Sequence, residues 1–555
     1  MSAAAVLIPI ALALPLALAL WLAMAAGAWR RSGRWLLPAA SLPAVALALL
    51  PAETIRVDWL LLGLDLGTDA ASRPFLLLLG IAWSLAGWHA LDYVQEQGRR
   101  FWLFWLLTLT GISAVFLAQD AAGFYSGYVV MTLAGYGLVL HDRTEEARRA
   151  GRVYLVLGLI GEVLIVSGLF ALAARFGNVT LVELAAELRS NGPGGWAAGL
   201  MFAGFAVKMG TLPLHVWLPL AHPVAPVPAS AILSGVIVKA GLFGWIRFLP
   251  PEALPTAAPM EVLVVLGLAG AFYAALMGLT QSRPKAILAW STVSQMGLLL
   301  GIFAATLAGP LERDLLLPVL ALWALHHGLT KAALFLATGC APTTTLWRRV
   351  LFIMPALSLA GAPLTTGALA KSAAKGGFTT AQLSDWVVTA YTLSSITTAL
   401  LLVHLYQRLR ATDAPERSAH PAWVLLTIAA LAVPWLWAGS EGFAYLPGSV
   451  AVWDASWPLL LAAALWWAWR QAHLPVLRLP EDEMLSLWRW ARERAPASFD
   501  HSADHSASRL RLPLPQAGKT FAAALERAER SLTRMPAAGA GVILLTLLMW
   551  LGLVL

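Results

Sequence analysis

The chain has 555 residues, of which 59% are hydrophobic and only 12% are charged, and its formal net charge at pH 7 is +8. This composition excludes an ordinary soluble protein, whose apolar share is about one half. It also argues against nucleic-acid binding, because the arginines and lysines lie mostly in short segments between apolar runs, where they determine membrane topology.

Apolar runs follow one another along the whole chain, and most are close to the roughly 20 residues that a helical span requires. They lie at 3–28, 34–50, 74–94, 101–119, 121–140, 153–175, 196–218, 228–249, 259–280, 285–306, 315–338, 350–376, 385–407, 420–438, 450–470 and 537–555. The first run is long enough to span and has no basic segment before it, so we predict no cleavable signal peptide. The sequence therefore predicts an all-α polytopic membrane protein with about sixteen transmembrane helices.

Basic residues occur in every second loop between these runs. They are Arg30, Arg31 and Arg34; Arg99 and Arg100; Arg143, Arg148, Arg149 and Arg152; Arg283 and Lys285; Arg348 and Arg349; Arg408 and Arg410; and the arginines after residue 470. The loops between them, such as 51–73, are acidic or nearly uncharged. Because positive loops stay in the cytoplasm, we predict a bacterial-type inner membrane protein with both termini on the outer side.

One long polar stretch, 471–535, follows on the predicted cytoplasmic side. Its prolines argue against one continuous helix, but 481–494 and 518–534 have the pattern of short amphipathic helices. The stretch is either a connector lying on the membrane surface or a docking surface for a neighbouring subunit. His501 and His505 have a spacing suited to a metal, yet no third ligand accompanies them, so we predict no metal site.

Six ionisable residues within or beside the apolar runs are the candidate functional residues. An ammonium at the depth of the lipid tails costs about 2.5 to 3.5 kcal/mol on insertion scales, so such a residue favours a functional interpretation. Prolines and glycines interrupt two of these runs, a pattern that marks ion sites in transporters built from repeated halves. The six residues are Glu162, Lys208, Lys239, His327, Lys331 and Lys371.

Such a row of side chains suits proton transfer. Burial favours the neutral form of a lysine and a nearby carboxylate favours its charged form, so a small movement of charge makes the lysine hold or release a proton. His327 and Lys331 are four residues apart and therefore share one helix face. A histidine between lysines titrates near neutral pH and relays protons in either direction.

No cofactor site is predicted. The single cysteine, Cys340, excludes an internal disulfide bond and any cysteine-built metal or iron–sulfur site, and we interpret it as a packing residue at a helix end. The sequence has no CxxCH haem motif and no GxGxxG after a strand. Any oxidoreductase activity would therefore belong to partner subunits.

Five ordered motifs carry a family resemblance. They are KMGTLPLHVWLP from Lys208, AHPVAPVPASAILSGVIVKAG with Lys239, QSRPKAILAWSTVSQMG (281–297), LHHGLTKAALFLATG (325–339) and ALSLAGAPLTTGALAK (356–371). Over about 100–376 the chain resembles the antiporter-like membrane subunits of respiratory complex I, of Mrp cation/proton antiporters and of membrane-bound hydrogenase and formate hydrogenlyase complexes. The resemblance implies that the other membrane subunits of such a complex are its partners.

The resemblance also implies a fold and a role for each residue. The expected fold has about fourteen core helices, with two inverted five-helix repeats, broken helices and a central axis that conducts protons, plus about two extra helices. Lys208 resembles the broken-helix lysine, Lys239 the next relay lysine, His327 and Lys331 the central connection, and Lys371 the exit lysine. The expected divisions are 1–100 (N-terminal helices), 101–249 (first repeat), 259–407 (second repeat), 408–470 (C-terminal helices), 471–535 (polar segment) and 536–555 (final helix).

A lysine in the motif LSGVIVKAG points to a branch of the family. Lys239 makes the chain more similar to the B-type subunit of hydrogenase-4 and the D-type subunit of Mrp antiporters than to complex I subunit 5, which usually lacks this lysine. The same residue argues against the subunit-5-like partner of inorganic-carbon uptake complexes.

Two departures from the family pattern affect the expected activity. The fifth helix of the family carries a glutamate that pairs with the broken-helix lysine, and Val129 occupies that position here. Leu220 replaces the aspartate of the usual LPDA motif. We expect Glu162, one helix later, to pair with Lys208 instead, because a buried lysine needs a nearby carboxylate to stay charged.

Two alternatives to proton translocation stay open. The missing glutamate favours a translocation-defective scaffold for a partner subunit, which the retained lysines oppose. A stand-alone secondary transporter is the second alternative, although no substrate-sized polar cluster lies away from the lysine row. The residues do not decide between H⁺ and Na⁺, but ammonium groups favour protons because they cannot coordinate a cation.

Overall fold

A computed structural model gives the fold of the chain. It describes residues 2–24, 33–59, 63–94, 98–177, 180–192, 194–253, 258–340, 342–411, 419–443, 448–473, 477–481 and 486. The chain divides into two compact units, Met1–Leu479 and Pro480–Leu555. The predicted final span 537–555, the histidines His501 and His505, and the two amphipathic segments apart from residues 481 and 486 lie outside the described residues.

The N-terminal half of the first unit consists of helices and one short hairpin. Its elements are α1 (Ala3–Met24), α2 (Leu36–Ala39), α3 (Leu42–Leu49), β1 (Thr54–Val57), β2 (Leu64–Gly67), α4 (Arg73–Tyr93), α5 (Gly98–Leu117), α6 (Ala121–Val139), α7 (Glu145–Phe176), α8 (Leu181–Asn191) and α9 (Trp196–Met209).

The rest of the first unit is helical as far as the structure describes it. Its elements are α10 (Trp217–Val224), α11 (Val227–Ile232), a π-helical segment (Leu233–Ile237), α12 (Lys239–Phe248), a 3₁₀ turn (Pro251–Ala253), α13 (Ala258–Leu279), α14 (Pro284–Ala305), α15 (Pro310–Ala337), α16 (Leu346–Ala360), α17 (Thr366–Thr380), α18 (Asp385–Ala411), α19 (Pro421–Ser440) and α20 (Ser449–Gln471). Within the described residues, eleven helical segments are long and apolar enough to cross a membrane. The predicted all-α multi-pass fold is confirmed.

Three features differ from the predicted elements. The run 34–50 forms two short helices, α2 and α3, rather than one span. The loop 51–73 contains the antiparallel hairpin β1–β2, in which Arg56 and Asp65 form an ion pair at 3.0 Å. Helix α8 was not predicted because its residues are too polar for an apolar run, and a capping box between Thr180 and Glu183 starts it.

Two membrane helices are broken in the same way. Helix α9 ends at Gly210 (φ 68°) and α16 ends at Gly361 (φ 84°), a left-handed conformation that favours glycine. Breaking a helix frees backbone carbonyls, which must be satisfied within the protein. Trp217 Nε1 donates to the Val207 carbonyl at 2.7 Å, and Lys371 Nζ donates to the Ala360 carbonyl at 3.4 Å.

Paired glycines bring the central helices into close contact. A Cβ added to Gly204 of α9 would lie 2.6 Å from the carbonyl oxygen of Gly161 on α7. A Cβ added to Gly235 of the π-helical segment would lie 2.8 Å from the carbonyl oxygen of Gly328 on α15. Small residues allow backbones in a membrane to approach closely. These two contacts position the side chains of the candidate site.

An ion pair at the end of a membrane span holds α12 to the loop before α4. Arg247 Nη1 lies 2.5 Å from Asp69 Oδ2. Burial by itself raises the pKa of the Asp69 carboxyl, but the Arg247 guanidinium outweighs burial, so the pKa of Asp69 lies below its ordinary value. The pair therefore stays ionised at neutral pH.

Candidate functional site

Lys208 is buried in the last turn of α9. The residue is 4% exposed, and its Nζ donates to Thr132 Oγ1 at 2.7 Å. Nζ also lies 5.5 Å from the ring centroid of Tyr128 and 5.2 Å from that of Tyr154, within the range of cation–π attraction. A hydroxyl and two aromatic faces therefore surround the ammonium.

Glu162 lies next to this pocket on α7. It is buried, and it interacts electrostatically with both Lys208 and Thr132. Gly158, one turn earlier on α7, packs against Thr132, so α6 and α7 hold the hydroxyl and the carboxylate together. Glu162 Oε1 has no hydrogen-bond partner within the described residues. The arrangement gives Lys208 a carboxylate neighbour that does not come from the position of Val129, and the pairing itself stays a prediction.

Lys239 and His327 are in direct contact at the centre of the unit. Lys239 Nζ lies 2.7 Å from His327 Nδ1 and donates to the Ser234 carbonyl at 2.8 Å. Both residues are fully buried. The π-helical segment presents the Ser234 carbonyl to the ammonium, and the Gly235–Gly328 contact sets its distance from α15. A proton can pass between the two nitrogens with no intervening group.

Lys331 lies one turn beyond His327 and contacts α14 instead. Its Nζ donates to the Leu288 carbonyl at 2.7 Å, and the ring of Phe335 lies 5.8 Å from Nζ. The Thr292 hydroxyl, one turn after Leu288, donates to the same carbonyl at 3.0 Å. Lys331 is therefore a buried amine held by a backbone oxygen.

Two further residues near Lys331 were not chosen from the sequence. His222 is fully buried, stacks on Phe335 and interacts electrostatically with Lys331 and Lys285, and within the described residues neither of its ring nitrogens has a hydrogen-bond partner. Lys285 Nζ donates to the Ala225 carbonyl at 2.6 Å. Lys285 was interpreted as a topology determinant, but Pro284 starts α14 and turns this lysine inward. The signal for His222 was a histidine within the proline-rich motif AHPVAPVP.

The side chain of Lys371, on α17, reaches the break between α16 and α17. Its Nζ lies 2.5 Å from Ser395 Oγ and 3.3 Å from Ser394 Oγ, both on α18. His326, next to His327 on α15, bonds to Thr366 Oγ1 through Nδ1 at 2.8 Å and interacts electrostatically with Lys371. His326 therefore faces the Lys371 side of α15, while His327 faces Lys239.

A cavity of about 850 Å³ lies at one end of this row. Its lining includes Asp142, Glu146, Lys285, Ala225 and His420. The carbonyl that binds Lys285 is thus part of the cavity wall, and His222 lies behind that wall.

A second cavity, of about 340 Å³, reaches Lys371 and Ser395. The positions of the two cavities can be compared along helix α18. Ser395 lies toward the start of this helix, whereas His404, near its end, bonds to the Gln281 carbonyl just before the helix of Lys285. The two cavities therefore lie toward opposite ends of α18.

The described residues contain no group of three histidine, cysteine, aspartate or glutamate side chains that could hold a metal ion. Cys340 is buried just after α15, with Sγ 3.5 Å from His89 Nε2. All six predicted residues are buried. Lys239 and His327 are in contact, and within the described residues Lys208 shares no hydrogen bond with Lys239, so transfer between those two lysines would need water or movement.

The chain matches a protein-family model over residues 118–400, just over half of its length, and the model is described as NADH:quinone oxidoreductase/Mrp antiporter, transmembrane. It is 29% identical to hydrogenase-4 component B of Escherichia coli, over 50% of this chain and 43% of that protein. It is 31% identical to NAD(P)H-quinone oxidoreductase chain 4 3 of a Picosynechococcus species, over 52% of this chain and 50% of that one. The chain thus spans about half the length of the curated relatives it matches.

Two solved structures have the same fold. A chain of the Mrp complex from a Dietzia species superposes with a TM-score of 0.67 at 20% identity, covering 84% of this chain and 98% of that one. A chain of the membrane-bound sulfane sulfur reductase, an archaeal respiratory membrane complex, superposes with a TM-score of 0.66 at 18% identity, covering 82% and 98%. At these identities the likeness concerns the fold.

Proposed function

The chain belongs to the NADH:quinone oxidoreductase/Mrp antiporter transmembrane family, and from this membership we propose that it translocates protons as a membrane subunit of a larger complex. The observation that carries the proposal is the buried contact between Lys239 and His327 at 2.7 Å, placed between two cavities. An amine and an imidazole at this distance can exchange a proton directly.

The proposed path uses both cavities. Protons enter from the larger cavity past Lys285 and His222 to Lys331. They pass through His327, which exchanges protons with Lys239, and through His326, and they leave by Lys371 into the smaller cavity. Buried water would complete the steps that lack a direct contact, and the unpartnered nitrogens of His222 suit such water. In this scheme Lys208 and Glu162 form a second, connected group whose charge state controls the first.

The orientation in the membrane is part of the proposal. Lys285 lines the larger cavity, as do Thr144 and Glu146 of the positively charged segment 143–152, so we use the positive-inside rule to put that cavity on the cytoplasmic side. The smaller cavity then opens to the outer side of a bacterial inner membrane, where we also place both termini. We further propose that the partners are the other membrane subunits of a complex I-like, hydrogenase-like or Mrp-like assembly.

The retained cations favour translocation over a scaffold role. Four lysines are buried and held by specific acceptors: Lys208, Lys239, Lys331 and Lys371. Burying a lysine in a membrane protein costs free energy, and a protein that serves only as a scaffold gains nothing from it. A scaffold would keep the same fold with apolar residues at these positions. Glu162 supplies a carboxylate beside Lys208 in place of the absent one at Val129.

Substituting Glu162 with glutamine should reduce proton translocation by about tenfold, within the range that a coupling free energy between two sites produces. The glutamine keeps the shape but removes the negative charge that acts on Lys208. Translocation is measured with a pH-sensitive dye in liposomes that contain the full chain with its co-purified subunits, driven by a potassium diffusion potential. Glu183→Gln, at an exposed site on α8, is the matched control. An unchanged rate in Glu162→Gln would show that Glu162 does not partner Lys208.

The proposal as a whole is tested by Lys371→Ala in the same liposomes. We expect the variant to assemble with the same subunits and to lose proton movement, because Lys371 is the group that meets the outer cavity. Mass spectrometry of the subunits that accompany the tagged chain identifies the complex. A fully active Lys371→Ala would exclude the proposed path, and recovery of the chain alone would favour a stand-alone transporter.

A further inference from the structure

Helix α20 contributes one wall of the cavity that reaches Lys371. Its residues Ala451, Asp454 and Ala455 line this cavity. The helix lies beyond the residues that match the family model, 118–400. Only Pro458 and Ala462 of α20 are buried, so the helix packs lightly on the rest of the unit. A lightly packed helix at the mouth of a cavity can move at little cost.

An ion pair joins α20 to the helix that carries Lys371. Lys375 Nζ lies 3.5 Å from Asp454 Oδ2 and 3.4 Å from Thr392 Oγ1. Lys375 follows Lys371 by one turn on α17, and both residues line the cavity. The side chain of Lys375 is 19% exposed and that of Asp454 is 52% exposed, whereas Lys371 is 7% exposed. The pair therefore lies between Lys371 and the surface.

The charges of the pair suit a contact that opens and closes. A partly exposed ion pair is weakly stabilising, so its opening is accessible at ordinary temperature. While the pair is closed, Asp454 holds the Lys375 ammonium across the cavity, where it repels other cations approaching Lys371. When the pair opens, α20 is released from α17 and the cavity becomes accessible to water.

We propose that the Lys375–Asp454 ion pair is a gate that controls the exchange of water and protons between Lys371 and the surface. The gate rests on the proposed function for its role, but its opening is measured without any proton movement. It also assigns a purpose to α20, which the family match does not cover.

The test measures how fast a cysteine inside the cavity reacts. Cys340, the only cysteine of the chain, is first changed to alanine, and Ala368, a buried residue of the cavity wall, is changed to cysteine. Membrane vesicles of each orientation, containing the full chain, are treated with a charged, membrane-impermeant thiosulfonate reagent. The variant with Cys340→Ala and Ala368→Cys is the parent. Asp454→Asn or Lys375→Gln, added to this parent, should raise the rate of thiol reaction by about fivefold, which corresponds to the largest stabilisation measured for partly exposed ion pairs.

A variant in which the two charges of the ion pair are exchanged distinguishes a gate from a general loosening of the helix packing. The double variant Lys375→Asp with Asp454→Lys should return the rate to that of the parent. Asp385→Asn, which removes an exposed carboxylate at the start of α18, is the matched control and should leave the rate unchanged. Single variants that react like the parent, or an exchanged pair that reacts as fast as the single variants, would overturn the gate. Proton movement in Lys371→Ala tests the proposed function separately, so either idea can fail alone.

Discussion

Substitution of Lys239 with methionine is expected to lower proton translocation by at least about 100-fold, the lower end of what a positioned proton-transfer group contributes. The methionine fills a similar volume but removes the amine that contacts His327 Nδ1 and the Ser234 carbonyl. Leaving these buried groups without a partner costs about 1–3 kcal/mol, while removing a buried ammonium offsets part of that loss. Translocation should therefore fall far more than the temperature of unfolding.

Substitution with arginine distinguishes a proton carrier from a fixed charge. Arginine keeps the positive charge but does not release its proton in proteins. If Lys239 exchanges a proton with His327, Lys239→Arg should be as inactive as Lys239→Met. An active arginine variant would mean that the position supplies only charge, and an active methionine variant would remove Lys239 from the path altogether.

The control for both variants is a substitution of a basic residue that lies outside the row of buried lysines and histidines. Arg313, at the start of α15, donates to the Ile246 and Leu249 carbonyls near the end of the same helix that carries Lys239. Arg313→Gln removes a cation that binds backbone oxygens but lies away from His327. It should retain most of the proton movement in liposomes driven by the same potassium potential.

The positions of the interrupted helices could be predicted from the sequence. Glycine and proline shortly after Lys208, and again in the same apolar run before Lys371, mark breaks. Proline does not continue a helix and glycine adopts positive φ, and both are local properties. The breaks at Gly210 and Gly361 lie where these residues indicated. The arrangement in two inverted repeats was expected from the family resemblance alone, and it stays a prediction.

The contacts across the core could not be predicted in the same way. Lys239 and His327 are 88 residues apart, and their distance depends on how closely the π-helical segment approaches α15. Periodicity shows which face of a helix is apolar, but it does not show which helix packs against it. The inward direction of Lys285 was missed for the same reason, because a lysine after Pro284 has the same sequence pattern as a topology determinant.

The surroundings of Lys208 could be predicted from the sequence only in part. The absent glutamate at Val129 indicated that a substitute was needed, and Glu162 was chosen as the nearest carboxylate within a span. The sequence could not show that Thr132, one turn after Val129, meets the ammonium directly. That contact depends on Gly158 of α7 packing against Thr132, a long-range feature of the fold.

Substitution of Gly235 with alanine is expected to impair proton translocation without removing any titratable group. The new Cβ would lie 2.8 Å from the carbonyl oxygen of Gly328 and 3.3 Å from the Cβ of Ala332, and the first of these is backbone that cannot rotate away. The π-helical segment must therefore move from α15 and carry Lys239 away from His327. Overpacking of this kind costs about 1–3 kcal/mol, and a misplacement of about 1 Å lowers a reaction rate by up to about 100-fold.

Gly199 of α9 provides the matched control for this prediction. A Cβ added there meets nothing within 4 Å, so Gly199→Ala should preserve translocation and gain up to about 1 kcal/mol from its helical preference. Thermal unfolding and dye-detected proton movement are measured on both variants in the same lipid. Because Gly235→Ala keeps every amine and imidazole, its failure would show that transfer depends on the distance between Lys239 and His327, and full activity would show that the relay tolerates a wider gap bridged by water.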